Sequence, residues 1–249
     1  MATIGVFDSG SGGLSVLREI RKVLPRENYV YYSDNANCPY GGMSAEFIIS
    51  RARTITELLL ARGADIIVVA CNTATAAAIA TLRAEYSVPF VGMEPAVKPA
   101  ALGTRSGVIG VLATAGTLKA SKYLDTRGRF EDKVTIVEHV GSGFVELVES
   151  LELSGPHAEA VVAQSLEPLL EAGADTIVLG CTHYPFLLPV MEKVAEGRGV
   201  RFIDPAPAVA RQVCRVMAAG DIPTNVEPPF FDLLASGPDT TLRALADCR

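Results

Sequence analysis

The chain lacks several features that mark whole classes of protein. No apolar run among its 249 residues reaches the roughly 18 residues that a membrane-spanning helix needs. The formal net charge is −6, and no basic stripe is present, which argues against nucleic acid as the main partner. With three histidines and no CxxC or Cys/His zinc spacing, we expect no metal site.

Signs of export are also missing. The first residues, MATIGVFDSG, have the pattern of a strand and lack the basic region and apolar stretch of a signal peptide. The five cysteines are an odd number in a long chain and do not suit a secreted disulfide framework. We therefore expect a reduced, cytoplasmic protein. We interpret three of the thiols as non-catalytic: Cys38, Cys214 and Cys248.

Apolar residues are plentiful, at 49%, and apolar runs alternate with helical patterns. Strands are predicted at Ile4–Phe7, Tyr29–Tyr32, Ile66–Ala70, Phe90–Met93, Val108–Leu112, Val134–Val137, Ile177–Gly180 and Arg201–Ile203. Helices are predicted around residues 13–24, 44–61, 74–85, 95–103, 116–123, 156–172, 186–197 and 206–219. This alternation predicts a doubly wound α/β fold with mainly parallel sheets.

Two fifteen-residue segments are near copies that each end in a cysteine. ELLLARGADIIVVAC runs from Glu57 to Cys71, and EPLLEAGADTIVLGC runs from Glu167 to Cys181, with 9 of 15 positions identical. A shorter match pairs Ile4-Gly-Val with Ile109-Gly-Val. We predict two pseudosymmetric lobes, 1–96 plus 207–249 and 97–206. Because ligands of open α/β sheets bind at the carboxyl ends of strands, we expect an active site in the cleft between the lobes.

The paired thiols are the strongest chemical signal. A buried cysteine is often only a core residue, but two at equivalent repeat positions favour a reaction that needs two thiols. A helix beginning after each cysteine would stabilise the thiolate. His183, two residues after Cys181, is a candidate general acid or modulator of that thiol; the alternative is a histidine satisfied by backbone groups.

Other polar residues follow the predicted strands. Asp8-Ser-Gly-Ser-Gly-Gly13 has no GxGxxG pattern and no phosphate-loop lysine, and read alone it is a turn and helix cap. Because the Asp8 carboxylate would repel a phosphate, it better suits binding a substrate ammonium or orienting a base. Around the cysteines, Asn72, Thr73 and Thr182 could bind a carboxylate and an amine or could cap helices. The remaining candidates are Tyr40 and the Gly41 amide as carboxylate ligands and Glu146 or Glu149 as a partner of His183; a Pro/Gly turn and a solvated pair are the alternatives.

Taken together, the motifs resemble those of the glutamate racemase family. The matching segments are GVFDSGSGGLSVL, DNANCPYG, VVACNTATA, GMEPAVKPA, IGVLATAGT and LGCTHYPF. Two departures are the loop Ser33-Asp34-Asn35-Ala36-Asn37, where the commoner family loop has an arginine, and Ala113 where glycine is usual.

The resemblance implies a reaction and a set of site residues. It implies cofactor-independent racemisation of glutamate by two thiols, supplying D-glutamate for peptidoglycan, by a homodimer without nucleic acid or membrane partners. It assigns Cys71 to the D-substrate and Cys181 to the L-substrate, with Asp8, Glu149 and His183 assisting. The implied substrate contacts, apart from Asp8 and His183 themselves, are Ser9, Pro39, Tyr40, Gly41, Asn72, Thr73, Thr117 and Thr182.

Three competing functions follow from the same residues. An enzyme of related fold could act on aspartate, a hydantoin or a malonate, although a decarboxylase of that kind needs only one cysteine. A thiol redox protein could cycle Cys71 and Cys181 through a disulfide, which the missing CxxC disfavours. A non-catalytic amino-acid-binding protein is disfavoured because both thiols, Asp8 and His183 are present.

Overall fold

The computed structural model describes residues 2–220, 222 and 229–247. Within these ranges the strands are β1 Thr3–Asp8, β2 Asn28–Ser33, β3 Ile66–Val69, β4 Phe90–Val91, β5 Val108–Ala113, β6 Thr135–Val140, β7 Thr176–Gly180, β8 Arg201–Ile203 and β9 Phe231–Ala235. The α-helices are α1 Leu14–Val23, α2 Ala45–Ala61, α3 Asn72–Glu85, α4 Val97–Gly103, α5 Ala115–Leu118, α6 Ser121–Gly128, α7 Phe144–Glu149, α8 Pro156–Glu171, α9 Leu188–Val194, α10 Ala206–Ala219 and α11 Thr240–Asp247. Short 3₁₀-helices cover Asn35–Asn37, Tyr40–Gly42 and Tyr184–Leu187.

The strands form two parallel sheets with the same internal order. One sheet runs β4-β3-β1-β2-β9 and the other runs β6-β5-β7-β8, and every pairing in the described ranges is parallel. The order β4-β3-β1-β2 therefore corresponds to β8-β7-β5-β6, with β9 added at one edge. The central strands β1 and β3 are wholly buried, as expected where helices cover both faces of a parallel sheet. The predicted α/β fold with mainly parallel sheets is confirmed.

Contacts within the chain group into two compact units, Met1–Met93 with Ala206–Arg249 and Glu94–Pro205. The five-stranded sheet belongs to the first unit and the four-stranded sheet to the second. In the first unit, α1 packs on α10, so residues from both ends of the sequence build one core. The lobe boundaries near residues 96 and 206 stay a prediction.

The Gly-Ala-Asp turn of the long repeat has the same physical basis in both copies. Gly63 and Gly173 have φ angles of 80° and 82°, the left-handed conformation in which glycine ends a helix without a steric penalty. The following aspartates bind the neighbouring segment: Asp65 accepts a hydrogen bond from the Thr3 amide at 2.8 Å, and Asp175 accepts from the Arg105 and Ser106 amides at 2.6 and 2.8 Å.

The glycines of the Ile-Gly-Val match lie where a helix approaches a strand closely: α2 against β1 in one copy and α8 against β5 in the other. A Cβ on Gly5 would lie 3.2 Å from Leu59 Cδ1, and one on Gly110 would lie 2.9 Å from Leu169 Cδ1. The two leucines hold equivalent places in the long repeat. Both copies therefore pack a helix against a strand at a position where a larger residue would force them apart.

Some sequence predictions of elements were wrong or incomplete. The predicted helix over 116–123 is divided into α5 and α6, and that over 186–197 begins as a 3₁₀-helix and becomes α9 only at Leu188. The prolines at 185 and 189, which lack an amide hydrogen, suit the first turns of helices rather than their interiors. The predicted elements did not include strand β9 or helices α7 and α11. Strand β9 is a short, half-exposed edge strand. Cys248 lies outside the described residues.

Candidate functional site

Asp8 ends β1 and is fully buried. Its carboxylate accepts hydrogen bonds from the Ser9 amide at 2.7 Å, the Ser9 hydroxyl at 3.3 Å and the Gly13 amide at 2.6 Å. These amides belong to the glycine-rich turn before α1. Because the carboxylate occupies them, the turn does not offer these amides to a phosphate. The role of Asp8 toward a substrate ammonium or a base stays a prediction.

Cys71 lies between β3 and α3 and is 5% exposed. Its Sγ accepts a hydrogen bond from the Ala74 amide at 3.4 Å, so the thiol itself caps the N-terminus of α3. The Ser9 hydroxyl lies 3.8 Å from the same sulfur. Helix amides and the helix dipole favour a negative charge at this position, so the local structure stabilises a Cys71 thiolate.

Asn72, the first residue of α3, does not use its side chain as a helix cap. It is 4% exposed, and neither its amide nitrogen nor its carbonyl oxygen has a hydrogen-bond partner in the described part of the chain. A buried unpaired amide is costly, so Asn72 carries both a donor and an acceptor suited to a ligand. Thr73 is also buried beside it, at 7% exposure.

The loop between β2 and α2 contains Pro39, Tyr40 and Gly41. The Cys38–Pro39 peptide is cis. Tyr40 is 1% exposed and belongs to the same buried core as Cys71, whereas Gly41 is half-buried. The first unit thus brings Asp8, Ser9, Cys71, Asn72 and the Tyr40 loop to the carboxyl end of its sheet.

Cys181 follows β7 in the second unit and is 8% exposed. Nδ1 of His183 lies 3.7 Å from the Cys181 sulfur. The other ring nitrogen, Nε2, lies 2.7 Å from a carboxylate oxygen of Glu149, at the end of α7. Because a carboxylate only accepts, Nε2 carries a hydrogen, and Nδ1 can exchange a proton with the thiol. Glu146, the sequence alternative, is exposed.

Thr117 and Thr182 are the remaining predicted contacts of the second unit, and both are at least 97% buried. The Thr117 hydroxyl lies 3.0 Å from that of Thr114, whose side chain caps α5. Sequence reasoning missed Tyr184, which is fully buried, donates to the Gly141 carbonyl at 3.3 Å and packs edge-on against Phe144. Burial and the neighbouring Cys181 raise the pKa of Tyr184. The only available signal was its place in the Cys-Thr-His-Tyr segment.

The two thiols differ in their surroundings. The sequence predicted a helix directly after each cysteine, which is right for Cys71 and wrong for Cys181. The chain after Cys181 forms a 3₁₀-helix at Tyr184–Leu187. Cys71 therefore has a helix N-terminus and a hydroxyl as neighbours, whereas Cys181 has an imidazole backed by a carboxylate.

Each of the two α/β units has a parallel sheet and a buried thiol at the carboxyl end of an equivalent strand. Residues 4–213 match the family model of the Asp/Glu/Hydantoin racemases. The chain belongs to this family, and the resemblance drawn from the motifs is confirmed.

Individual relatives narrow the comparison. The glutamate racemase of Methylococcus capsulatus is 52% identical over 236 residues, covering 94% of this chain and 87% of that protein. The crystal structure of Escherichia coli glutamate racemase in complex with L-glutamate and the activator UDP-MurNAc-Ala is 35% identical, with a TM-score of 0.88 over 98% of this chain and 93% of that one. A Bacillus anthracis glutamate racemase structure is 32% identical, with a TM-score of 0.87 over 99% and 92%. None of the helices in the described ranges is long and apolar enough to cross a membrane.

Proposed function

We propose that this protein interconverts L- and D-glutamate without a cofactor, using Cys71 and Cys181 as its two acid/base groups. The observation that carries the proposal is the equivalent position of the two buried thiols, at the ends of β3 and β7. Glutamate racemases of about 50% identity support glutamate as the substrate.

In the proposed reaction, a thiolate removes the Cα proton from one face of glutamate. The electron pair of the C–H bond remains on the carbanion, and the other thiol gives its own proton to the opposite face. The donor becomes the thiolate and the acceptor becomes the thiol, so the two groups exchange protonation states in each turnover. We assign Cys71 to proton removal from D-glutamate and Cys181 to proton removal from L-glutamate.

Three residues assist the thiols in this proposal. His183, 3.7 Å from Cys181, transfers or holds the proton of that thiol, and Glu149 orients its ring. Asp8 assists on the side of Cys71, where Ser9 joins the carboxylate to the thiol through two contacts. A positioned acid or base of this kind contributes about 10²–10⁴-fold to a rate.

The substrate carboxylate and ammonium need fixed donors and acceptors. We propose that Asp8, Ser9, Pro39, Tyr40, Gly41, Asn72, Thr73, Thr117, Thr182 and His183 provide them. The unpaired amide of Asn72 gives the strongest support, because a ligand would satisfy both of its polar atoms. Preorganised donors in a water-poor site stabilise the developing carbanion.

We further propose a biological setting. D-glutamate made by this reaction would enter peptidoglycan, which places the enzyme in the cytoplasm, where the precursors of that polymer are built. We also propose a homodimer, without nucleic acid or membrane partners. Light scattering of the purified protein tests the dimer, and a mass of 26.3 kDa would contradict it.

Circular dichroism with L- or D-glutamate, and no added cofactor, tests the activity directly. We expect the signal to decay to zero from either side. In deuterated water, newly formed product should carry deuterium at Cα while the remaining substrate stays unlabelled, because different groups remove and deliver the proton. If the signal decays with aspartate or a hydantoin but not with glutamate, the assignment of glutamate as substrate is wrong. If the product retains the original Cα proton, the proposal that two separate groups remove and deliver the proton is wrong.

A further inference from the structure

A buried ion pair between Asp34 and Arg51 supports the Tyr40 loop. Asp34, directly after β2, is 0% exposed. Its carboxylate accepts two hydrogen bonds from the Arg51 guanidinium, at 2.8 and 2.9 Å, and one from the Asn37 side chain at 3.1 Å. A fourth comes from the Tyr40 hydroxyl at 2.5 Å. Four donors satisfy a charge that would otherwise be costly to bury.

Tyr40 connects this ion pair to the thiol. Its hydroxyl binds Asp34, while its ring packs in the core cluster that includes Cys71 and Phe7. Burial, the hydrogen bond to Asp34 and the nearby Cys71 raise the pKa of Tyr40, so the phenol keeps its proton and acts as a donor. The orientation of the ring, and of the Tyr40–Gly41 peptide next to it, thus depends on Asp34 remaining an acceptor.

Arg51 keeps Asp34 in that state. Burial alone would raise the pKa of Asp34, but hydrogen bonds from Arg51 and Tyr40 lower it below its usual range. Arg51 lies in α2, which begins directly after the loop and is capped by the Ser44 side chain. A planar guanidinium making two parallel bonds fixes the carboxylate in direction as well as in charge.

We propose that Arg51 is a positioning residue that acts through Asp34 to hold Tyr40 and the Tyr40–Gly41 peptide in the orientation that binds the substrate carboxylate. The inference rests on the proposed function, since it assigns the loop to glutamate. Arg51 touches neither thiol in this scheme, so its loss should weaken substrate binding more than the proton transfers.

The test compares two arginines of the same helix. Arg53, two residues after Arg51, also makes an ion pair with two hydrogen bonds, to the exposed Glu85. Replacing Arg53 therefore removes one positive charge and one salt bridge, as replacing Arg51 does. We would measure kcat and KM for L- and D-glutamate in wild type, Arg51→Met and Arg53→Met. We expect KM to rise roughly 10-fold or more in Arg51→Met, as misplaced contacts predict, with kcat changed less than KM and Arg53→Met like wild type.

A conservative variant separates positioning from folding. Arg51→Lys keeps the charge but loses the two-bonded geometry, so its KM should lie between those of wild type and Arg51→Met. If Arg51→Met does not fold, as judged by circular dichroism, a wild-type KM in folded Arg51→Lys overturns the proposal. An unchanged KM in folded Arg51→Met, or an equal rise in Arg53→Met, also overturns it. Absence of racemisation in wild type would instead refute the proposed function.

Combining Arg51→Met with Tyr40→Phe tests the route through the phenol. Tyr40→Phe removes the hydroxyl that binds Asp34, so it should raise KM by itself. If Arg51 acts through this hydroxyl, the two changes share one interaction and the double variant should fall short of the product of the single effects. A fully multiplicative effect on KM would place the action of Arg51 elsewhere and overturn the proposed route.

Discussion

Cys71 and Cys181 hold equivalent positions at the ends of β3 and β7 but have unlike neighbours. Cys71 receives an amide hydrogen bond from Ala74, whereas Cys181 lies 3.7 Å from His183. An amide can stabilise a thiolate but cannot exchange a proton with it, while an imidazole can do both. At the scale of single residues, the two copies of the repeat therefore share the position of the thiol and differ in the groups that surround it.

Replacing either thiol should abolish racemisation. Cys71→Ser and Cys181→Ser each remove one of the two acid/base groups, so we expect turnover in both directions to fall by at least about 100-fold. Cys214→Ser is the control, because Cys214 is a half-buried thiol of α10 that the mechanism does not use. Polarimetry with both enantiomers provides the measurement, and full turnover in either catalytic variant would exclude the two-thiol reaction.

The Glu149–His183 pair allows a second residue-level prediction. Glu149→Gln replaces the carboxylate that orients His183 with a neutral amide, so kcat/KM should fall about 10- to 100-fold. Because enantiomers have equal free energy, the fall must be the same from L- and from D-glutamate. Glu146→Gln, three residues earlier and exposed, should leave kcat/KM unchanged. Equal effects of the two substitutions would argue against a role for Glu149 in proton transfer.

Among the elements, the turn before β7 depends on one carboxylate. Asp175 accepts hydrogen bonds from the Thr104 hydroxyl at 2.6 Å, the Arg105 and Ser106 amides, and the Thr176 hydroxyl at 3.0 Å. Partial burial opposes ionisation, but these hydrogen bonds outweigh it and lower the pKa of Asp175. The ionised side chain thus ties the start of β7 to the segment that leads into β5.

This arrangement predicts an acid-dependent loss of stability. Since the pKa of Asp175 is lower in the folded state than its usual value of about 3.9, its contribution is complete at neutral pH and is lost as pH falls through the folded-state pKa. Asp175→Asn should lower the free energy of unfolding by about 1–2 kcal/mol at pH 7. Urea unfolding should show the gap between variant and wild type narrowing below about pH 4; a constant gap would contradict the prediction.

Elements whose burial leaves a pattern in their own residues could be predicted from the sequence, and elements that depend on distant contacts could not. Apolar runs such as Ile66–Val69 are buried on both faces, so periodicity alone identified β3. The half-exposed β9 gave no such pattern, because little of its surface is buried. Its pairing partner β2, about 200 residues away in sequence, gives no local signal either. The candidate site divides in the same way. The repeat identified Cys71 and Cys181. No sequence pattern distinguishes Arg51 from a surface arginine, because its bonds to Asp34 form only in the folded chain.

At the scale of the whole molecule, the second unit is an insertion within the first. Residues 94–205 form one compact unit between the two parts of the other. The inner faces of α1 and α10, which pack on each other, include Leu17 and Ile20 on one helix and Val209 and Val213 on the other. The first 93 residues therefore lack helix α10, which packs on α1, and edge strand β9, which pairs with β2.

Separated fragments should differ in their ability to fold. We expect residues 94–205 to give a cooperative unfolding transition, because the four-stranded sheet and its helices all lie within that range. Residues 1–93 should give none, since α1 would expose the face that α10 covers. Circular dichroism during urea unfolding distinguishes the two cases. A cooperative transition in 1–93 would contradict this account, as would its absence in 94–205.

The insertion also orders events during synthesis. Chains are made from the N-terminus at about 5–20 residues per second, and domains generally fold as units. The first 93 residues leave the ribosome before α10 and β9 exist, so the face of α1 that α10 covers and the edge of β2 that β9 covers stay exposed while the inserted unit is translated. Helix α1 thus gains the partner that covers its inner face only after Cys181 has been made. During that interval, a chaperone could recognise the uncovered face of α1 on the nascent chain.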